Sequence, residues 1–589
     1  MSKPLEDYGL ISNCLSAALV GKDGSIDWLC LPCFDSAACF ASLLGNKENG
    51  HWKISPAEDY KISRRYIEES MVLETLFETS RGSCKLIDCM LIGEDHPTLV
   101  RSIQGLTGEV EMQMEFIVRF DYGSIVPWVR RNKNSDGIHA IAGPDGLVLY
   151  SPITLQGENL HTLGKFICQA GQEINFNIIW YDSHNTIPPN ISKPTKKIQA
   201  TIDWWKKWCS HNTYNGFHSE EVLRSLITLK GLTYHPTGAI VAAPTTSLPE
   251  SLGGSRNWDY RFGWIRDSSF TLMALLRAGY AEEASRWNEW LLRAVAGTSS
   301  QLNIMYGIRA ERRLTEIELP WLDGYENSRP VRTGNAAYKQ FQLDVYGELV
   351  ATGYVGRHYG LKFNEDAWRI EANAIKYICE HWTEPDEGIW EVRGKSRQFT
   401  HSKLMAWVAL KYAIESVEKH GVTGDINYWR IICEKIHQDI CSKGFDQELN
   451  AFVQYYGSKE LDASLLMMGL VGFLPMDDPR IIGTVEAIRK TLSRDGFLLR
   501  YLPNPDLDGL TGVEGCFIPC SFWLVRNLIL MGRKEEALEL YEKLCSTKND
   551  LGLFAEEYST FHKRMVGNFP QAFTHISHIN AAMELNRFL

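Results

Sequence analysis

A chain of 589 residues with a net charge of −11 and no Lys- or Arg-rich stretch lacks the electrostatic footprint of a protein that binds nucleic acid or an anionic membrane. It also lacks a long apolar run. The most apolar segment, Cys516 to Met531, is interrupted by Pro519 and Arg526 and is too short to span a bilayer, so it reads as a buried core helix. Met1 to Tyr8 carry acids where a secretory leader carries a basic start and an apolar core, which predicts a soluble, cytoplasmic protein. No low-complexity tract or short repeat is present, which disfavours a solenoid. The 14 cysteines have no metal-ligand spacing, and Cys30-Leu31-Pro32-Cys33 is a lone CxxC without a second pair or a His cluster, so neither a metal nor a cofactor is expected. The sequon Asn190-Ile191-Ser192 carries no meaning without export. A small neutral molecule is the partner that this composition leaves.

Two domains are expected from the length. Up to about residue 192, short apolar or alternating segments such as Leu99 to Ile103, Glu111 to Val118 and Gly146 to Tyr150 are separated by Gly, Asp, Asn and Pro turns, as in an antiparallel β-sandwich. Residues 193–214 read as a linker helix, with Ile198, Ile202, Trp204 and Trp205 at helical spacing. From 215 to 589 the period is helical, in Glu220 to Thr233, Ser268 to Ala278, Ala281 to Ala296, Thr400 to Lys419, Asn427 to Ser442, Pro479 to Leu492, Pro519 to Met531 and Lys534 to Leu544. About a dozen helices fit this length, and a toroid of paired helices would present the Trp-, Gly- and Asp-rich loops at one end as a pocket.

The loop chemistry points to a sugar. Asn257 to Asp267 packs Trp258, Tyr260, Phe262 and Trp264 beside Arg261, Arg266, Asp259 and Asp267, then runs into a helix. Flat rings cover the apolar face of a pyranose, and an Arg–Asp pair donates to and accepts from neighbouring hydroxyls. Singly, Asp267 could be a helix N-cap and the aromatics could be core; together they favour a binding pocket. Glu391 follows the indole of Trp390, and a carboxyl desolvated beside a ring suits a general acid; the alternative is a surface ion pair with Arg393. Phe554-Ala555-Glu556-Glu557-Tyr558 offers the second carboxylate that an inverting glycosidase requires, the alternative being a solvated acidic turn. Tyr558 could orient that carboxylate or its water.

These motifs, with Glu6 to Asn13, Asp23 to Cys30, Ser328 to Ala337, Gln342 to Gly347 and Arg500-Tyr501, make the chain resemble glycoside hydrolase family 15, the glucoamylases and bacterial-type trehalases, with the N-terminal domain of the trehalase branch. The resemblance implies an N-terminal antiparallel β-supersandwich followed by an (α/α)6 barrel, hydrolysis with inversion, and glucose in a blind-ended subsite. It assigns Glu391 as general acid and Glu556 as general base, with Glu557 the alternative if the register is one off. It puts Tyr260, Trp264, Arg266 and Asp267 around the terminal glucose, Arg329 and Arg500 in the pocket lining, and Trp390 beside the acid. Asn327-Ser328 stands where fungal glucoamylases carry Trp-Gly, which together with the trehalase-type N-terminus favours α,α-trehalose, with maltooligosaccharides as the alternative. Two readings from other classes are an inverting disaccharide phosphorylase, which needs no carboxylate base, and a non-catalytic carbohydrate sensor, which needs neither acid; the presence of both Glu391 and Glu556 favours hydrolysis over each.

Overall fold

Thr98–Ile117 is one 20-residue strand that belongs to two layers of β-sheet at once. Its first half pairs antiparallel with Gly82–Met90 and Glu173–Asp182, and its second half with His51–Pro56 and His161–Gln169. The burial of the second half alternates, as expected where one face of a strand meets a core and the other does not. Two layers that share a long strand and face each other across a common core form the supersandwich. Arg101, on that strand, is fully buried, paired with Asp88 at 2.7 Å and bonded to the carbonyls of Trp52 and Gly24, so it ties the layers together. The computed structural model describes residues 2–131, 137–362 and 364–588.

After the sandwich the chain turns helical: α1 (Pro194–Cys209), α2 (Ser219–Gly231), α3 (Ser268–Arg277), α4 (Ala281–Val295), α5 (Asp344–His358), α6 (Glu365–His381), α7 (Thr400–His420), α8 (Ile426–Lys443), α9 (Pro479–Leu492), α10 (Ile518–Leu530), α11 (Lys534–Cys545) and α12 (Ala572–Leu585). Packing closes an inner ring: α3 meets α5, α5 meets α7, α7 meets the short turns Ala463–Leu466 and Met467–Leu470 through the first of them, those meet α10, α10 meets α12, and α12 returns to α3. Each inner member is backed by an outer one, in the pairs α3–α4, α5–α6, α7–α8, Ala463–Leu466 with α9, α10–α11 and α12–α2. That is an (α/α)6 barrel after an antiparallel β domain, as the sequence reading expected.

Burial explains why the last helix could not be read from the sequence. Outer helix α4, read from its period, buries Ala284, Trp287, Trp290, Leu291 and Val295 on one face, whereas every residue of inner α12 is buried. A helix enclosed on all sides has no polar stripe and hence no amphipathic period. This is why α12 went unforeseen. In α5, Gly347, Gly353 and Gly356 also interrupt the helical signal. At Gly347 a Cβ would lie 2.3 Å from the backbone oxygen of Met405 in α7, so glycine is what lets these two inner helices approach.

The domains meet directly. Trp28 Nε1 donates to Pro244 O, Ser12 Oγ to Gly231 O and Asn549 Nδ2 to Tyr8 O, and Arg64 pairs with Asp550. Among the described residues no helix is long and apolar enough to cross a membrane.

Candidate active site

The loops between inner and outer helices converge on a pocket lined by Trp258, Tyr260, Trp390, Glu391, Arg393 and Arg500, together with Glu250, Arg256, Asn335 and Asp508. Glu391 reaches it from a turn that holds its own backbone in the left-handed region, at φ 58°, three residues after Gly388 at φ 69°. A β-carbon in that region costs about 1–2 kcal/mol, which surrounding structure must offset. Here Glu391 N donates to Gly388 O, Gln340 Nε2 donates to the carbonyls of Glu391 and Val392, and Arg393 N donates to Asp508 O. The strained turn is thereby held from both sides.

The Glu391 carboxylate accepts from Trp264 Nε1 at 2.8 Å and from Arg266 Nη1 at 3.1 Å, both on Oε1. Its proposed ion pair with Arg393 does not form: Arg393 pairs with Glu316 at 2.7 and 3.0 Å and stacks on Trp258 at 4.2 Å. Asp267 precedes α3, yet its side chain caps nothing and accepts from Arg266 Nε at 2.8 Å. Burial raises the Asp267 carboxyl, and Arg266 opposes that shift. Arg266 also donates to Ile389 O, so one guanidinium joins Asp267 to the turn that carries Glu391.

Glu556 is buried behind the hydroxyl of Tyr260. Its Oε1 accepts from Tyr260 OH at 2.6 Å and its Oε2 from Asn568 N at 3.0 Å. The rings of Tyr260 and Trp264 lie 5.2 Å apart at 65°, so the two carboxylates are linked through a pair of touching aromatics from one short segment. Burial pushes the Glu556 carboxyl up to about 7, the Glu250 carboxylate adds to this, and Arg500 and Tyr260 oppose it. Trp390 donates its indole N–H to Asp462 at 2.9 Å, which fixes the ring beside Glu391.

Glu556, just before the strand Glu557–Ser559, and Glu557, its first residue, point to different partners. Glu557 leaves Glu556 behind and accepts from Gly515 N at 2.8 Å, with Arg500 Nη2 at 3.6 Å. Arg500 donates to Glu514 at 2.6 Å and to Glu250 at 2.9 Å. Glu250, Glu556 and Glu557 present oxygens within 4.8 Å of one another, the one group among the described residues close enough to hold a cation, with the Arg500 guanidinium among them. Burial pushes Glu250 up and Glu557 well up.

Two expected residues are elsewhere. Arg329 is exposed and ion-paired with Asp323, because the turn before it leaves its side chain on the surface, while Arg332 points inward and stacks on Trp258 at 4.7 Å. The Tyr558 ring packs on Phe497 at 5.2 Å instead of orienting a carboxylate, since alternation along Glu557–Ser559 turns it to the face opposite Glu557. Conversely, Glu250, Arg256, Asp508 and Glu514 were missed. Each is a single acid or base with no motif around it, and only the cluster they form with Arg500 distinguishes them.

Comparison with known proteins agrees with this architecture. The family model of "Glycosyl hydrolases family 15" matches residues 216–583, and that of "Trehalase-like, N-terminal" matches residues 1–160. The chain is 37% identical to a trehalase of Mycolicibacterium smegmatis, over 99% of this chain and 91% of that one. It is 35% identical to a trehalase of Thermoplasma acidophilum, over 96% and 98%. Its fold matches a bacterial glucoamylase solved with acarbose at a TM-score of 0.72 and 13% identity, covering 99% of this chain and 94% of that one. With a β domain, a closed ring of paired helices and a matched family model over most of its length, the chain belongs to glycosyl hydrolases family 15 and is a glycoside hydrolase.

Proposed function

We propose that the protein hydrolyses α,α-trehalose to two glucoses with inversion, Glu391 acting as general acid and Glu556 as general base. The observation that carries this reading is the linkage of the two carboxylates through Trp264 and Tyr260. One glucosyl unit enters against Arg266 and Asp267. Glu391 gives its proton to the bridging oxygen as the C1–O bond breaks through an oxocarbenium-like transition state. Glu556 takes a proton from a water that attacks the opposite face of C1. The attacked ring leaves as β-glucose and the other as α-glucose.

Glu556 suits the base role better than Glu557, because Tyr260 connects it to the Glu391 side while Glu557 is bonded behind Arg500. The relatives carrying the name trehalase add support. The division into a β domain over 1–192, a linker over 193–214 and a catalytic barrel over 215–589 is part of the same proposal, supported by the last strand ending at Asp182, α1 at Pro194–Cys209 and the start of α2 at Ser219.

The test is glucose release from trehalose, maltose, maltotriose and soluble starch, with and without phosphate, with product anomers followed by NMR. An initial α and β mixture from trehalose alone supports the proposal. β-Glucose from maltotriose and starch would make the substrate a short glucan, and turnover only with phosphate would make the reaction a phosphorolysis.

A further inference from the structure

The segment that carries Tyr260 and Trp264 sends the side chain between them in a different direction. Arg261 is fully buried and points into the β domain. Its Nε and Nη2 bond Asp259 at 2.9 and 2.6 Å, Nη1 donates to Ser36 O at 2.8 Å, and Nη2 donates to Tyr122 OH at 2.8 Å. Asp259 in turn accepts from the backbone N–H of Gly334 at 3.0 Å, and its carbonyl accepts from Asn335 Nδ2. Asn335 lines the cavity. One buried ion pair thus spans the β domain and two walls of the site.

The β-domain end of this connection is built at a cost. Asp121 and Tyr122 are consecutive non-glycine residues in the left-handed region, at φ 50° and 56°. Such a conformation is unfavourable for L-residues and persists only where neighbours enforce it. The turn is closed within the β domain by the paired bonds of Phe120 and Ile125 and by Ser124 N to Asp121 O, and the barrel adds two contacts: Trp321 Nε1 donates to Tyr122 O at 3.0 Å, and Arg261 Nη2 donates to the Tyr122 hydroxyl. Burying an ion pair adds little net stability, because desolvation offsets the attraction, but it fixes geometry.

We propose that Tyr122, Arg261 and Asp259 form a positioning relay by which the β domain sets the placement of Tyr260 and Trp264, and through them Glu556 and Glu391. Tyr122 and Arg261 touch no substrate in this scheme; they act through their neighbours. Displacing catalytic groups by about 1 Å can cost about 10²-fold in rate, and a loss confined to the transition state falls on kcat. The relay rests on the catalytic reading above.

The experiment uses the full chain with Y122F and R261K. The first deletes one hydroxyl; the second keeps the charge and loses the planar fork. Steady-state kinetics on the α-glucoside are read beside amide hydrogen exchange of peptides covering 257–267 and 332–337. The relay predicts a kcat lowered roughly tenfold in Y122F and roughly 100-fold in R261K with KM changed by less than about threefold, and faster exchange in both segments. Wild-type exchange together with kcat within a factor of about two overturns it, as does a lowered Tm with unchanged kcat and exchange. Should R261K not fold, Y122F decides alone. Should the wild-type chain hydrolyse no α-glucoside, the catalytic reading falls and the exchange data alone decide the relay.

Discussion

Glu391 and Glu556 are surrounded differently, and their substitutions should report the difference. Glu391→Gln and Glu556→Gln are each expected to lower kcat by about 10²–10⁴ while a bound disaccharide keeps its Kd within a few fold, since each removes a proton transfer made in the transition state; kinetics beside calorimetry checks this, and near-normal kcat in either variant removes that residue from its role. Asp267→Asn acts on another quantity. It takes away an acceptor used in both ground and transition states, so kcat/KM should fall about tenfold or more with the loss visible in KM; an unchanged kcat/KM would rule out contact with substrate. The pH profile follows from Glu556. Burial, chiefly, and the Glu250 charge put its carboxyl at about 7, so below that pH the base is protonated and the acid limb of kcat/KM falls about tenfold per unit. A flat profile down to pH of about 5 would contradict the assignment. Residue chemistry was legible here to the extent that it lies in short contiguous motifs: Trp258 to Asp267 and Trp390-Glu391 could be read directly, whereas Arg329 was placed by resemblance and the fold turned it outward.

Elements show a second kind of determinism. Outer helices such as α4 and α11 announce themselves through their period, as do inner α3, α7 and α10, but α12, enclosed along its whole length, and α5, interrupted by glycines, do not. The contact of α5 with α7 depends on Gly347. Gly347→Ala would drive a methyl toward the Met405 carbonyl oxygen, and overpacking of this kind costs about 1–3 kcal/mol. Thermal unfolding should show a lower Tm with the family motif otherwise intact; an unchanged Tm would mean that the two helices separate easily. The turn that presents Glu391 is an element of the opposite sort, strained and short, held by Gln340 and Asp508 from outside itself.

For the whole molecule, the β domain and the barrel share polar and charged contacts at Trp28, Ser12, Tyr8, Arg64 and Arg261. Calorimetry is therefore expected to give one cooperative transition, because neither unit can open without exposing buried partners of the other; two resolved transitions would show that the interface is weak. What the sequence by itself determined is local: strand alternation in the first third, helical period in most helices of the barrel, and contiguous aromatic and acidic motifs, each readable because its signal lies within a few neighbouring residues. Only the tertiary structure decided that Glu250, Glu514, Glu557 and Arg500 meet, that Glu556 faces Tyr260 while Glu557 does not, and that Arg261 reaches into the other domain. Burial and pairing of charge arise from residues hundreds of positions apart in the chain, and no local pattern encodes them.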